Sequence, residues 1–469
     1  MAPQSDPATP KAGEAPAPKP AKPDPTAPGG AGPKSPTTDP AAGGAAPGAA
    51  GGAGGPKSPE PAAHAGGLTL DQVINATLLA DPKIRAGLES VTQAGGDAVT
   101  ASLKPNPTLT VYQSLLPLVQ PFTVDRTGGP PQFDLGVGYP VDWFLFGKRA
   151  AAMQAAGLGV RVSEADYADR VRTRVLEAGS AFYDVQEARA LLDIARQDAD
   201  NLARLEGVTR TAVANGGRPA VDLSRIRLDR LRAEQVTRDA ETARVTAVAK
   251  LRAVMGRGDA DPGFEVADAG EPAPADPLPV EEGLAVATRN RPDIQSSRWK
   301  LAQAQATAEV QRRQAYPLVT ARTGYTRQYQ SRAIGAPDAS SFGYGFDTSL
   351  PFNDRNQGNR LKAASQVAQS SYTLQADLND LRAEVEQTTR ELTAAAQTAR
   401  AVAGEQLTLA GTVRDSIGKA YEAGGRPLID VLDAQRNYRD TYRLFIASRA
   451  GYGRAVLKYG AALGKQVRP

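Results

Sequence analysis

The chain has 469 residues, a formal charge of +4, no cysteine and one histidine, His64, which lies in an Ala/Pro/Gly-rich N-terminal stretch. Without cysteine there are no disulfides, thiolate metal sites, cysteine nucleophiles or lipid anchor on an N-terminal cysteine, and the rest of the chain has no histidine for general-base or metal-ligand work. No Walker, dinucleotide-binding or triad pattern occurs, so no catalytic residue, cofactor, metal site or nucleic-acid partner is expected.

No run of 18 apolar residues is present, so no transmembrane helix is expected. A transmembrane barrel strand is about ten residues of alternating pattern and escapes such a scan. Residues 1–67 are mostly Ala, Pro and Gly. Such a composition buries too little apolar surface to offset its ordering entropy, and a disordered arm is expected. The arm shows no charged segment followed by an apolar one, the leader expected of an exported protein.

After the arm, Leu70–Leu79 and Ile84–Leu103 read as helices, separated by Asp81-Pro82 and stopped by Pro105-Asn106-Pro107. The period then changes to two. Leu109 and Val111 alternate with Thr108 and Thr110, and after a Pro/Gly-rich loop Phe133, Leu135, Val137, Tyr139, Val141 and Trp143 occupy every odd position. From about 147 to 215 the period is helical, with a seam of Val171, Val175, Ala178, Phe182, Val185, Leu192, Ala199 and Leu202. Gly216-Gly217-Arg218-Pro219 then reads as a helix stop followed by a helix start, and another helix runs to about Met255.

The plan then repeats. Residues 257–279 read as a connector, Val280–Asn290 and Ile294–Ala315 as helices, and Val319–Tyr325 and Phe342–Phe352 as strands. In the last of these Phe342, Tyr344, Phe346, Leu350 and Phe352 share one face. A long helix over about 358–423 follows, with a seam including Val385, Leu392, Ala399, Ala403, Ala410 and Val413. Gly424-Gly425-Arg426-Pro427 closes it, and a last helix runs to about Leu463. Landmarks of the two halves fall 208 to 211 residues apart, which predicts an internal duplication with repeats at 68–256 and 280–464 and hairpins at about 107–143 and 318–352.

The strands have large apolar residues on one face and Gly, Ser, Asp or Pro on the other. A lipid-facing barrel wall is preferred to a soluble sandwich, because the small face could not fill a core. Four strands are too few to enclose a channel, so several chains must contribute. Asp430 and Asp433 are three apart at the start of the last helix, where the positive end of the helix dipole favours carboxylates. They read as helix-start residues, as does Asp222 after the first turn. Tyr421, Tyr438, Tyr442 and Tyr452 read as packing residues.

These features together resemble the TolC family of outer-membrane efflux factors, over about residues 68–465. The resemblance rests on the duplication, on the hairpins between helices, and on Arg426-Pro427-Leu428-Ile429-Asp430-Val431-Leu432-Asp433-Ala434-Gln435-Arg436, which is close to the family's turn motif. Pro105-Asn106-Pro107 and Phe146-Gly147-Lys148-Arg149 are similar to the branch that serves metal-cation pumps. The resemblance implies an α+β membrane protein that forms a homotrimer, with four strands per chain in a 12-stranded barrel and a long periplasmic α-barrel. It implies a passive exit duct in the outer membrane, in contact with outer-membrane lipid, that meets a periplasmic adaptor and an inner-membrane pump. It implies that Asp430 and Asp433 form acidic rings at a closed entrance, that Arg426 and Asp222 belong to a polar latch, and that the two Gly-Gly-Arg-Pro turns dock the adaptor. A soluble coiled-coil scaffold is the alternative, and it leaves the two alternating strands unexplained.

Overall fold

The computed structural model describes residues 67–126, 128–257, 264–268 and 276–465. The arm expected over residues 1–67, apart from Gly67, and most of the 257–279 connector lie outside them. The described chain opens with α1 (Leu70–Ala80), started by a capping box in which Thr69 and Gln72 satisfy each other's backbone. Asp81 ends α1 and begins α2 (Pro82–Ser102), its carboxylate accepting from the Lys83 amide at 2.7 Å. Proline suits the first turn of α2 because its missing N–H has no partner there in any case.

Strands β1 (Thr108–Ser114) and β2 (Gln132–Pro140) follow, then a short helical turn α3 (Asp142–Leu145), the 67-residue α4 (Lys148–Ala214) and α5 (Ala220–Val254). At about 1.5 Å per residue α4 spans on the order of 100 Å. The second series is α6 (Val280–Asn290), α7 (Pro292–Gln314), β3 (Val319–Gln328), the short α8 (Gln330–Ile334) and β4 (Ala339–Thr348). It ends with α9 (Gln357–Ala401), α10 (Leu407–Glu422) and α11 (Leu428–Ala462).

The two expected hairpins are one sheet, antiparallel throughout in the order β1-β2-β3-β4. The register sets Leu109 and Val111 opposite Val137 and Leu135, Leu135 opposite Tyr325, and Tyr325 and Thr323 opposite Phe342 and Tyr344. Directly paired residues share a face, so Leu109, Val111, Phe133, Leu135, Val137, Tyr139, Tyr325, Phe342, Tyr344 and Phe346 form one apolar face. The other face carries Thr110, Asp134, the five glycines Gly136, Gly138, Gly324, Gly343 and Gly345, and an Arg322–Asp347 ion pair. Asp134 accepts there from the Thr326 hydroxyl at 2.5 Å. Phe342, Tyr344 and Phe346 are each more than 70% exposed in the single chain.

The strands are shorter than their alternation suggests. Trp143 lies in α3 rather than in β2, which stops at Pro140, and the Asp142 carboxylate instead accepts from Lys148 at 2.8 Å. Arg149 stacks over the Trp143 ring at 5.6 Å. Leu350 and Phe352 lie beyond the end of β4 at Thr348, and Pro351 between them has no N–H for a ladder.

The expected helix over 358–423 is also interrupted. Residues Val402–Gln406 form a π turn between α9 and α10. This overturns the predicted seam locally: Val402 is buried and Ala403 is exposed, because a π turn rotates the following face. From buried Leu192 to Gly216 there are 24 residues, and from buried Val402 to Gly424 only 22. The offset between the repeats is 210 at Arg174 and Glu384 and 208 at Gly216 and Gly424, so they go out of step within the stretch that contains the π turn.

Helix packing follows the strand order. Next to the sheet α4 packs between α2 and α7, and α7 packs on α9, giving the row α2-α4-α7-α9. Toward the turns the row becomes α5-α4-α11-α10. Each row, like the sheet, has two ends. The core of the first repeat gathers Val73, Phe182, Leu251 and Met255, and that of the second Ile294, Leu381, Val385 and Leu392.

Candidate functional site at the helix turns

Both Gly-Gly turns fold identically. Gly216 and Gly424 have φ of +74° and +78°, a left-handed conformation that costs glycine little. Gly217 N–H donates to Ala212 at 2.9 Å and Gly216 N–H to Val213 at 3.0 Å; Gly425 and Gly424 donate to Ala420 and Tyr421 at 2.8 and 3.0 Å. Such paired bonds satisfy carbonyls that a helix end would leave without partners. Arg218 and Arg426 follow, and Pro219 and Pro427 stand one residue before α5 and α11.

Neither Asp222 nor Asp430 caps its helix by a side-chain bond. Asp430 instead accepts from Arg426 at 3.2 Å, one helical turn away, and Asp433 lies 3.8 Å from Arg436. The constriction expected to be acidic thus has its own guanidinium groups beside it. Their side chains remain partly open to solvent, so the pairing is weak and salt-sensitive. Asp222 lies half-buried in the first turn of α5, outside these pairs.

Tyr421 is 5% exposed, and Arg218 from the first turn lies over its ring at 4.0 Å. Its hydroxyl is 3.3 Å from that of fully buried Thr209 on α4. One aromatic ring therefore ties the first turn, α4 and the end of α10 together, as Leu202, Ile226, Leu428, Val431 and Leu432 pack below it. A cation over an aromatic face contributes about 0.5–2 kcal/mol, more as water is excluded.

One turn further up α4, Glu206 is buried and receives Arg210 at 2.6 Å, Arg230 at 2.7 Å and Arg227 at 3.4 Å. The Arg210 bond, then Arg227 and Arg230, hold its carboxyl below its ordinary value against the opposing effect of burial. The Arg210 contact is an i,i+4 pair readable in sequence. The contacts across to α5 required the fold.

The sequence profile of the outer membrane efflux proteins matches residues 73–257 and 284–464, which takes in both repeats and both turns. The chain belongs to the outer membrane efflux protein family. It is an outer-membrane channel protein that extends into the periplasm and serves as an exit conduit for efflux. The cobalt-zinc-cadmium resistance protein CzcC of Cupriavidus metallidurans is 27% identical over 380 residues, 80% of this chain and 85% of that protein. Among solved structures CusC, described in terms of folding and transmembrane channel formation, superposes with a TM-score of 0.70 at 16% identity, covering 85% of this chain and 92% of its own. The outer membrane protein VceC of Vibrio cholerae gives 0.70 at 17% identity, covering 85% and 97%. The fold is thus that of the outer-membrane channels, with a long helical barrel part and a β-barrel part.

Proposed function

We propose that three copies of this chain close into the gated exit duct of a tripartite efflux system, with a periplasmic adaptor and an inner-membrane pump as partners. The observation that carries this reading is that the sheet and both helix rows end openly at corresponding elements. Strand β4 of one copy beside β1 of the next, α9 beside α2 and α10 beside α5 would close all three layers with one rotation. The 68–256 and 280–464 repeats then form a ring of six similar units. No catalytic step is assigned; the pump supplies the energy.

At the tip, Asp430 and Asp433 of three copies surround the axis and favour cations, with Arg426 and Asp222 in the latch. Gly216, Gly217, Arg218, Pro219, Gly424, Gly425 and Pro427 form the adaptor-docking turns. The likeness to CzcC supports divalent metal cations as cargo. Two measurements test this. The mass of the protein extracted by detergent from alkali-washed membranes should correspond to three chains; a soluble monomer or dimer overturns the duct. In single-channel recordings Asp430→Ala with Asp433→Ala should lower cation selectivity and raise closed-state leak, with assembly intact. Unchanged selectivity and leak would remove these two residues from the gate.

A further inference from the structure

The two helix corners carry ion pairs at matching positions with the charges exchanged: the first is buried on both sides, the second at its arginine, while its carboxylate side chain is 41% exposed. In the first repeat Asp81, between α1 and α2, pairs with Arg174 of α4, and the two are 1% and 6% exposed. In the second Arg291, between α6 and α7 and 5% exposed, pairs with Glu384 of α9 at 2.5 Å. Asp81 and Arg291 are 210 residues apart, and so are Arg174 and Glu384. The backbone around them is alike. Left-handed Gly256, after α5, packs on Ala80 and Asp81, and left-handed Gly464, after α11, packs on Asn290 and Arg291; a Cβ on either would come within 3 Å of that backbone.

The corners are thus alike in shape and opposite in charge. They are also close to one another, since α4 touches both. Arg174 holds Asp81, and Arg172, two residues earlier, lies 4.0 Å from Asp293 at the start of α7. Burial works against the charge of Arg291, but the hydrogen bonds it donates to Asp293 and Glu384 outweigh it and keep the group charged. An ion pair, buried or half-exposed, adds little stability over a well-packed apolar pair, so stability alone does not account for charge at both corners. What such a pair does supply is discrimination, because Asp81, Arg174 and Arg291 are buried and the wrong combination sets a like charge against a buried one. Here the wrong combinations are Asp81 against Glu384 and Arg291 against Arg174.

We propose that the exchanged polarity is a docking code that commits each helix corner to its own long helix, so that the two look-alike repeats, within a chain and between neighbouring copies, do not cross-dock during assembly. The proposal rests on the trimer reading above. Wild-type protein run alongside tests that reading separately, by its mass.

Two variants test the code. Asp81→Arg with Arg174→Glu gives both corners the same polarity while keeping an ion pair at each. If each of three chains then chooses between equivalent dockings, about one trimer in eight is correct, so trimer yield from membranes should fall about eightfold. Adding Arg291→Asp and Glu384→Arg exchanges both corners and restores the distinction. Trimer yield should return to within about twofold of wild type, although the Asp81 cap on α2 is lost in both variants. A first variant that assembles like wild type overturns the proposal. So does an equal loss in both variants, which would make the pairs local structure only.

Discussion

Tyr421 is the last large side chain before the second turn, and it is buried although the turn itself is exposed. Its ring fills the space between α4 and the Leu428–Leu432 stretch, and its hydroxyl reaches Thr209. Tyr421→Phe keeps the ring and loses that one contact, an expected cost of about 1 kcal/mol. Tyr421→Ala also leaves a cavity and a guanidinium with nothing to stack on, an expected cost of about 3–5 kcal/mol. Melting in detergent should order them wild type, Phe, Ala; equal melting would mean the ring is not part of the tip's core. Glu206 makes a pH-dependent contribution. Its folded carboxyl titrates below the ordinary value of 4.5, so its stabilisation is fully present above that value and is lost as pH falls through the lowered one. Glu206→Gln should melt earlier than wild type at neutral pH, and the gap should close as pH falls below the ordinary carboxylate range. A gap that persists in acid would show that the cluster acts through shape rather than charge.

At the scale of elements the sheet makes the sharpest distinction between two otherwise similar substitutions. Leu135→Arg places a guanidinium on the apolar face among Val111, Tyr325 and Phe342, whereas Thr110→Arg places one on the face of Asp134 and the glycines. A cation near the middle of a lipid-facing wall costs about 2–4 kcal/mol, and one facing the lumen little. Leu135→Arg should leave less protein in washed membranes while Thr110→Arg inserts normally; equal insertion would mean the faces are wrongly assigned. Much of this was readable in the sequence. Period two in Phe133–Tyr139 and period seven in Val171–Leu202 act within one element, and the glycine-proline turns need only local chemistry. What stayed hidden depends on contacts between distant residues. Trp143 continues the alternation of β2 but lies in a helical turn fixed by Lys148, which also donates to the Pro317 carbonyl at 3.1 Å. Nothing between Ala401 and Leu407 marks a π turn, which appears only as a register difference between repeats. At the candidate gate the aspartates were legible, while Tyr421 was read as packing only, and its clasp with Arg218 joins residues 203 apart.

At the scale of the whole molecule, every layer of the chain stops at an open end, and the sheet's ends are where assembly can be tested with the least damage to the chain itself. Residues along an antiparallel strand direct their backbone groups alternately toward one neighbour and the other. Ser349 N–H donates to Leu318 at 3.1 Å, so odd-numbered residues of β4 bond β3 and even-numbered ones point away from it. Tyr344, opposite Thr323, therefore has its N–H on the free edge. Tyr344→Pro removes that donor while leaving the β3 ladder intact, and proline is tolerated on a strand edge. In a closed barrel the same N–H is no longer at an edge but inside a ladder with β1 of the next copy, where proline is not tolerated. Tyr344→Ala controls for the lost ring. Detergent-extracted Tyr344→Pro should yield predominantly single chains, with Tyr344→Ala remaining trimeric. A trimer that survives proline at this position would mean that β4 is not joined to the next copy there, and the ring would have to close through the helix rows alone.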